Sequence, residues 1–253
     1  MAEKKVVSFL KTSFDVKEEP GVCTQTQIVS FYGIEDCVDM YLYLPSILAH
    51  CGKKVLVLDN TCSGVLGECV PNLNKDGGLV EYKNVGYVMG SGYDKELFFL
   101  YDIVINVSGY YYDMQMERES RYVYVVSDFQ KIHLSKVQQI LEKIKQDIYM
   151  IYRDVQGGCV DAAYVHTLLC GGMKNVVGRS VVALSYEDCA WSLRMQYYNT
   201  YLFDRLTLEY RALFLTIVQN LCQEYRWRVP SMFRQTVRQI DVKMRGGGAF
   251  ELR

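Results

Sequence analysis

The sequence lacks any run of about 18 apolar residues, so it predicts no membrane-spanning helix. It also lacks the CxxC spacing of zinc ribbons, although it contains nine cysteines. An odd number of scattered cysteines is typical of reduced, mostly buried thiols in the cytosol. The formal net charge is only −1, so no overall charge draws the chain to nucleic acid or to a membrane. These absences favour a cytoplasmic globular protein.

Apolar segments of strand length alternate with helical patterns along the 253 residues. We expect strands at 27–32, 54–58, 85–89, 103–107, 122–126, 149–152 and 180–184, and helices at 39–51, 133–145, 161–169 and 200–225. This alternation predicts an α/β fold: a single three-layer domain whose mostly parallel twisted sheet of about seven strands has helices on both faces. We predict a lead-in at 1–26, the α/β domain at 27–225 and a basic amphipathic tail at 226–253.

The loop after the first predicted strand is unusual for an α/β protein. Ligands of parallel sheets bind in such loops, and phosphate-binding loops use Gly for close approach and Lys for charge. Here the segment from Glu35 to Tyr41 has neither and carries the acids Glu35, Asp36 and Asp39. A carboxylate about 4 Å from a phosphate costs about 4 kcal/mol at an effective dielectric of about 20. The loop therefore predicts no phosphate binding and no cofactor. With Asp59 the acids could hold a divalent cation, but a solvated acidic loop is the preferred interpretation, and no metal is predicted.

Five segments are similar, in the same order, to the MinD/ParA family of P-loop ATPases. They are VSFYGI at 29–34, GKKVLVLD at 52–59, YDIVIN at 101–106, RYVYVVSDFQKIHLSKVQQIL at 121–141 and YMIYRDV at 149–155. The resemblance implies a P-loop NTPase-like fold with a degenerate phosphate loop. The family's nucleotide-binding positions fall on Glu35, Asp36, Cys37, Asp39, Met40, Tyr41, Asp59, Thr61 and Asn106. Its phosphate Lys falls on Met40, and only Asp59 keeps the family's chemistry, so the resemblance implies no catalytic residue.

The segment Pro230–Arg245 has the pattern of a basic amphipathic helix. Its apolar residues Phe233, Val237, Ile240 and Met244 are spaced i, i+4, i+7 and i+11, and Arg234 and Arg238 follow one step behind. Such a helix binds an anionic membrane or a partner, or else packs on the sheet as an ordinary last helix. The sequence also has 21 tyrosines, with clusters such as 110–112 and 197–198. Tyrosine is common at protein interfaces, so a partner surface is one interpretation and compositional drift is the other.

The resemblance implies a pseudo-ATPase of bacterial type that acts in subcellular localisation or assembly. The TadZ/CpaE group, which serves Tad-type pili, is the specific expectation. The expected partners are proteins of the envelope, secretion or pilus machinery, or an active paralogue. A homodimer and a peripheral contact with the inner face of the membrane are further alternatives. One alternative is an active nucleotide- or metal-dependent ATPase with a rearranged site around Asp59. Another is a ParA-like DNA-partition protein, against which the near-zero net charge counts.

Overall fold

Eight strands form one sheet in the computed structural model, which describes residues 26–74, 78–90, 94–199, 201–222 and 229–235. The strands are β1 Gln27–Gly33, β2 Val55–Asp59, β3 Val80–Tyr82, β4 Val85–Met89, β5 Ile103–Gly109, β6 Ser120–Ser127, β7 Ile148–Val155 and β8 Val176–Ala183. Their order in the sheet is β3-β4-β2-β5-β1-β6-β7-β8. All neighbouring pairs are parallel except β3 and β4. The predicted fold class is confirmed.

The sheet has one more strand than the expected seven. Strand β3 is only three residues long, too short for a periodic sequence signal, and it pairs antiparallel with β4. Lys83 and Asn84 join the two strands with positive φ angles of 53° and 63°, as the tightest hairpin turns require. Strands β7 and β8 are also longer than the segments 149–152 and 180–184 that the sequence predicted.

Six α-helices accompany the sheet in the described part of the chain. They are α1 Val38–His50, α2 Met114–Glu119, α3 Lys131–Leu141, α4 Ala162–Cys170, α5 Tyr186–Tyr198 and α6 Leu208–Leu221. Two 3₁₀ helices occupy Lys95–Leu100 and Phe203–Arg205, and residues 229–235 are helical.

The predicted single helix over 200–225 is wrong. The helical conformation is interrupted before Thr207. Thr207 caps α6 by accepting a hydrogen bond from the amide of Tyr210. The amide and hydroxyl of Thr207 donate to Asp188 on α5, at 2.8 and 2.7 Å. Helix α5 itself was not predicted, because exposed Tyr186, Leu193 and Tyr197 interrupt its polar side and hide the helical pattern.

Alternating side chains divide the core between the two faces of the sheet. Val29 and Phe31 of β1 belong to the larger cluster, and Ile28 and Tyr32 point to the opposite face. Helix α1 lies on the larger face, where it contacts β2, β4, α5 and α6. Every residue from Val38 to Leu48 is buried because α1 is covered by the sheet on one side and by helices on the other. Strand β1 lies between β5 and β6, so the loop that leads to α1 lies at the centre of the sheet's carboxyl edge.

Candidate functional site

Strand β1 ends in a sharp turn at Gly33, whose φ angle is +106°. A Cβ at this position would overlap the carbonyl oxygen of Val126 on β6, so the turn requires glycine. The amide of Ile34 donates to that same oxygen at 3.0 Å. The loop from residue 34 to residue 37 is therefore held against the carboxyl end of β6 before α1 begins.

The carboxylate of Asp39 is buried in the first turn of α1 and is neutralised by side chains from two distant elements. Arg153 at the end of β7 donates through both terminal nitrogens, at 2.7 and 3.2 Å. The hydroxyl of Tyr210 on α6 donates to the same carboxylate at 2.5 Å, and its ring centre lies 5.0 Å from the guanidinium carbon. Burial lowers the pKa of Arg153, but the Asp39 carboxylate and the other groups around it together raise that pKa well above its ordinary value, so the guanidinium stays charged.

Cys37, Met40 and Tyr41, which stand at phosphate-loop positions, pack into the core. Met40 and Tyr41 are fully buried, and the edge of the Tyr41 ring lies against Phe31 at 5.7 Å between ring centres. Cys37 precedes α1 without a side-chain capping bond. Burial raises the pKa of its thiol, so it remains protonated and is a poor nucleophile. These positions are filled by the protein's own apolar groups.

Glu35 bridges the loops after three strands. Its carboxylate accepts hydrogen bonds from the hydroxyl of Ser63, after β2, and from the amide of Tyr110, after β5, at 3.5 Å in the second case. A Cβ at Gly109, where φ is +55°, would lie 2.5 Å from the Glu35 side chain, so glycine makes room for the acid. Asp36 is exposed beside it.

Asp59 at the end of β2 organises its own loop. One carboxylate oxygen accepts the amide and hydroxyl of Thr61 at 3.1 and 2.5 Å, and the other accepts the amide of Leu66 at 2.8 Å. The Thr61 oxygen in turn accepts the amides of Gly64 and Val65. Both oxygens of Asp59 are therefore occupied by donors of the chain.

Asn106 does not join these residues, because its side chain points to the other face of the sheet. It pairs with Leu58 of β2, the neighbour of Asp59, and successive side chains of a strand alternate between faces. There it accepts a hydrogen bond from the side chain of Asn60 at 2.8 Å and donates to Ser30 and Ser108 at 3.0 and 2.9 Å. This network satisfies polar groups inside the sheet.

Sequence reasoning missed Arg153, Tyr210 and Asp154. Arg153 carries a usable signal, because a charge within an otherwise apolar strand needs a buried partner. Asp154 follows it with a φ angle of +55°. Burial raises the pKa of Asp154, while the adjacent Arg153 lowers it in part. No sequence signal marks Tyr210 as a hydrogen-bond donor to Asp39.

The C-terminal helix is only partly described. Phe233 is 6% exposed and belongs to the main core, so it packs on the domain and does not face a membrane or a partner. Arg234 is exposed and donates to the carbonyl of Pro230 at 3.2 Å. Val237, Arg238, Ile240 and Met244 lie outside the described residues.

The described residues contain no helix of the length and apolarity that a bilayer crossing requires. Among the same residues, no three His, Cys, Asp or Glu side chains come together in a way that could hold a metal ion.

The sequence matches no family model and no curated protein. Among solved structures, the chain is similar to a ParA family ATPase from Chlorobium tepidum TLS, with 12% identity, 68% of this chain and 90% of that chain covered, and a TM-score of 0.47. It is also similar to the MinC:MinD cell division protein complex of Aquifex aeolicus, with 11% identity, coverages of 90% and 98%, and a TM-score of 0.47. For MinD of Aquifex aeolicus alone, the identity is 11%, the coverages are 90% and 100%, and the TM-score is 0.44. These structures bear the names of the family that the sequence motifs resemble.

Proposed function

We propose that this chain is a pseudo-ATPase, an α/β protein that does not bind or hydrolyse nucleotide and that acts in assembly or localisation through protein partners. The observation that carries the proposal is the ion pair of Asp39 with Arg153 at the start of α1. An anion at a helix N-terminus is stabilised by free amides and by the helix dipole. Here the chain supplies that anion itself, as a buried carboxylate.

The neighbouring residues support the same conclusion. A phosphate at this helix end would meet the exposed carboxylate of Asp36, which has no ion-pair partner among the described residues, and repulsion at about 4 Å costs about 4 kcal/mol at an effective dielectric of about 20. Met40 stands where the resemblance places a phosphate-binding Lys, and it is fully buried among apolar groups. Asp59, on which an active alternative would depend, already accepts three hydrogen bonds from Thr61 and Leu66.

The partner-binding role rests on the sequence resemblance and on the exposed apolar side chains described below. A Tad-type pilus or a secretion machine is the assembly that the TadZ/CpaE resemblance implies, and it stays a prediction. We also keep an active paralogue as a predicted partner. A chain that binds no nucleotide cannot change its own state through ATP, so a partner that binds ATP would have to do so.

Calorimetric titration with ATP and Mg²⁺, with ADP, and with Mg²⁺ alone tests the loss of nucleotide binding. We expect no heat and no shift of the melting temperature at millimolar ligand. A ligand present at 100 times its Kd would stabilise the fold by about 2.7 kcal/mol, so a real site would be seen. An active MinD or ParA protein measured in the same buffer is the positive control. Saturable binding of ATP would refute the proposal.

A further inference from the structure

Helix α5 carries a stripe of apolar and aromatic side chains that faces solvent. Tyr186, Cys189, Leu193 and Tyr197 are spaced three or four residues apart, so they share one side of the helix. Leu193 is 55% exposed, and Tyr186 and Tyr197 are 88% and 78% exposed. Met195, on the opposite side, is buried. A helix that packs through one face normally presents polar residues on the other, so this α5 stripe is an unusual outer surface.

The α5 stripe borders an acidic part of the sheet's carboxyl edge. Strand β7 ends beside the start of α5, because the amide of Leu184 donates to the carbonyl of Val155 at 2.9 Å. Burial raises the pKa of the Cys189 thiol, and the Asp154 carboxylate raises it further. Burial is also the main reason for the raised pKa of Asp154, and the carboxylates of Asp36 and Asp128 contribute to it. Asp36 is exposed, and the side chain of Asp154 is 46% exposed. The start of the stripe and these acids therefore lie at the same carboxyl edge of the sheet.

Arg194 is an exposed cation on α5 beside the stripe, and the exposed Glu187 on the same helix offsets its charge. The cations at the adjoining sheet edge are already paired. Arg153 is buried and gives its two terminal nitrogens to Asp39, and it lies 4.0 Å from Asp154. His133 is paired with Asp128 at 2.8 Å. Asp36 has no ion-pair partner among the described residues. Exposed tyrosine and leucine beside carboxylates suit a partner whose apolar side chains are accompanied by positive charge.

We propose that the α5 stripe and the adjoining carboxylates of Asp36 and Asp154 form a docking surface for an amphipathic helix of another protein, with leucine-like side chains flanked by Lys or Arg. The proposal rests on the proposed function and names the partner chemistry of that function. A second copy fits less well, since a two-fold axis through this surface would place like charges opposite each other. An anionic membrane would meet the same repulsion.

A labelled synthetic helix tests the surface directly. The probe is a peptide of about 18 residues, or five helical turns, made of Leu and Lys in an amphipathic pattern, and the matched peptide has Glu in place of Lys. By fluorescence anisotropy we expect the Leu/Lys peptide to bind at least about tenfold more tightly than the Leu/Glu peptide. Its affinity should fall severalfold between about 50 and about 300 mM NaCl, because exposed charges are screened.

Two matched variants locate the binding. Leu193→Glu should weaken binding of the Leu/Lys peptide at least about tenfold, because it places a charge at the centre of the apolar contact. Leu168→Glu on α4 is the control, since Leu168 is 57% exposed, like Leu193, but lies outside the stripe. It should leave binding unchanged. Circular dichroism and thermal melting of both variants show that the fold is retained.

Alkylation by iodoacetamide gives an independent readout on the full chain. Cys189 lies in the α5 stripe, while Cys62 and Cys159 are exposed controls elsewhere, each compared with its own rate without peptide. The Leu/Lys peptide should slow alkylation of Cys189 at least about fivefold and leave the other two unchanged, since only a covered thiol is protected.

Three results of the peptide and alkylation experiments would overturn the proposal. They are equal binding of the Leu/Glu peptide, equal loss in Leu168→Glu and Leu193→Glu, or no protection of Cys189. A wild-type dimer that Leu193→Glu converts to a monomer would assign the stripe to a second copy and would also refute it. ATP binding in the calorimetric test would refute the pseudo-ATPase and leave the peptide result standing, so the two failures are distinguishable.

Discussion

Asp39 and Asp59 are both buried carboxylates at the carboxyl edge, 2% and 1% exposed, yet the chain holds them in different ways. Asp39 is bound by Arg153 and Tyr210, which are 114 and 171 residues away in sequence. Asp59 is bound by groups no more than seven residues away. A formal charge therefore neutralises the first acid, and the dipoles of a single loop stabilise the second.

The difference shows what each acid does for the fold. Asp39 connects α1 to β7 and to α6, so it joins elements that no local contact would bring together. Its position in the first turn of α1 also favours a negative charge, because the helix dipole is positive there. Asp59 shapes only the loop that follows β2. The long-range acid should therefore affect global stability most, and the local acid should affect its own loop.

Removing the counter-charge of Asp39 should have the largest effect. Arg153→Met keeps the length of the side chain but leaves a buried carboxylate unpaired, which typically costs about 3–5 kcal/mol. We expect the free energy of unfolding in urea to fall by about that amount. A loss below about 1 kcal/mol would mean that water reaches Asp39 and that the pair contributes little.

The double variant Asp39→Leu with Arg153→Met is the matched control. Replacing a buried ion pair by apolar residues of similar size is often close to neutral, so much of the lost stability should return. The remaining loss, about 1–3 kcal/mol, comes from the Tyr210 hydroxyl, which no longer has Asp39 as its acceptor. A double variant as unstable as Arg153→Met alone would show that packing around Arg153, and not the unpaired charge, causes the loss.

The comparison also shows what a sequence can predict. Strands β1, β2, β5 and β6 are continuous apolar segments that repeat the order of a known family, so the fold and the position of the site loop were predictable. The acids of that loop were recognised as unsuited to phosphate. The partner of Asp39 could not be predicted, because an ion pair between residues 39 and 153 depends on how two strands are placed in the sheet. Helix α5 was missed because an apolar stripe interrupts its outer side, and that stripe belongs to the proposed docking surface.

Asp59 gives the second prediction, of intermediate size. Asp59→Ala removes the acceptor of the Thr61 and Leu66 amides and leaves buried donors unsatisfied, at a cost of about 2–3 kcal/mol. Asp59→Asn keeps one acceptor oxygen for Thr61 and should cost about half as much. Because the bonds are local, hydrogen exchange should increase first at the amides of 61–66. Equal losses in the two variants would show that the negative charge, and not the acceptor geometry, is what the loop needs.

Asp154 provides the smallest effect and the sharpest test of charge at this edge. Burial raises the pKa of Asp154 above its ordinary value. The folded protein therefore loses stability as the pH rises past the ordinary pKa, and the full cost is present above the raised pKa. Below the ordinary pKa this cost is absent. Asp154→Asn removes the charge and tolerates the φ angle of +55°, because Asn adopts this conformation readily. At pH 7 we expect a gain of about 0.5 kcal/mol, or a rise of about 1–2 °C in Tm, and near pH 4 the gain should shrink toward zero. Melting curves of both proteins across this range measure it, and a gain that is the same at pH 4 and pH 7 would assign the effect to backbone conformation instead of charge.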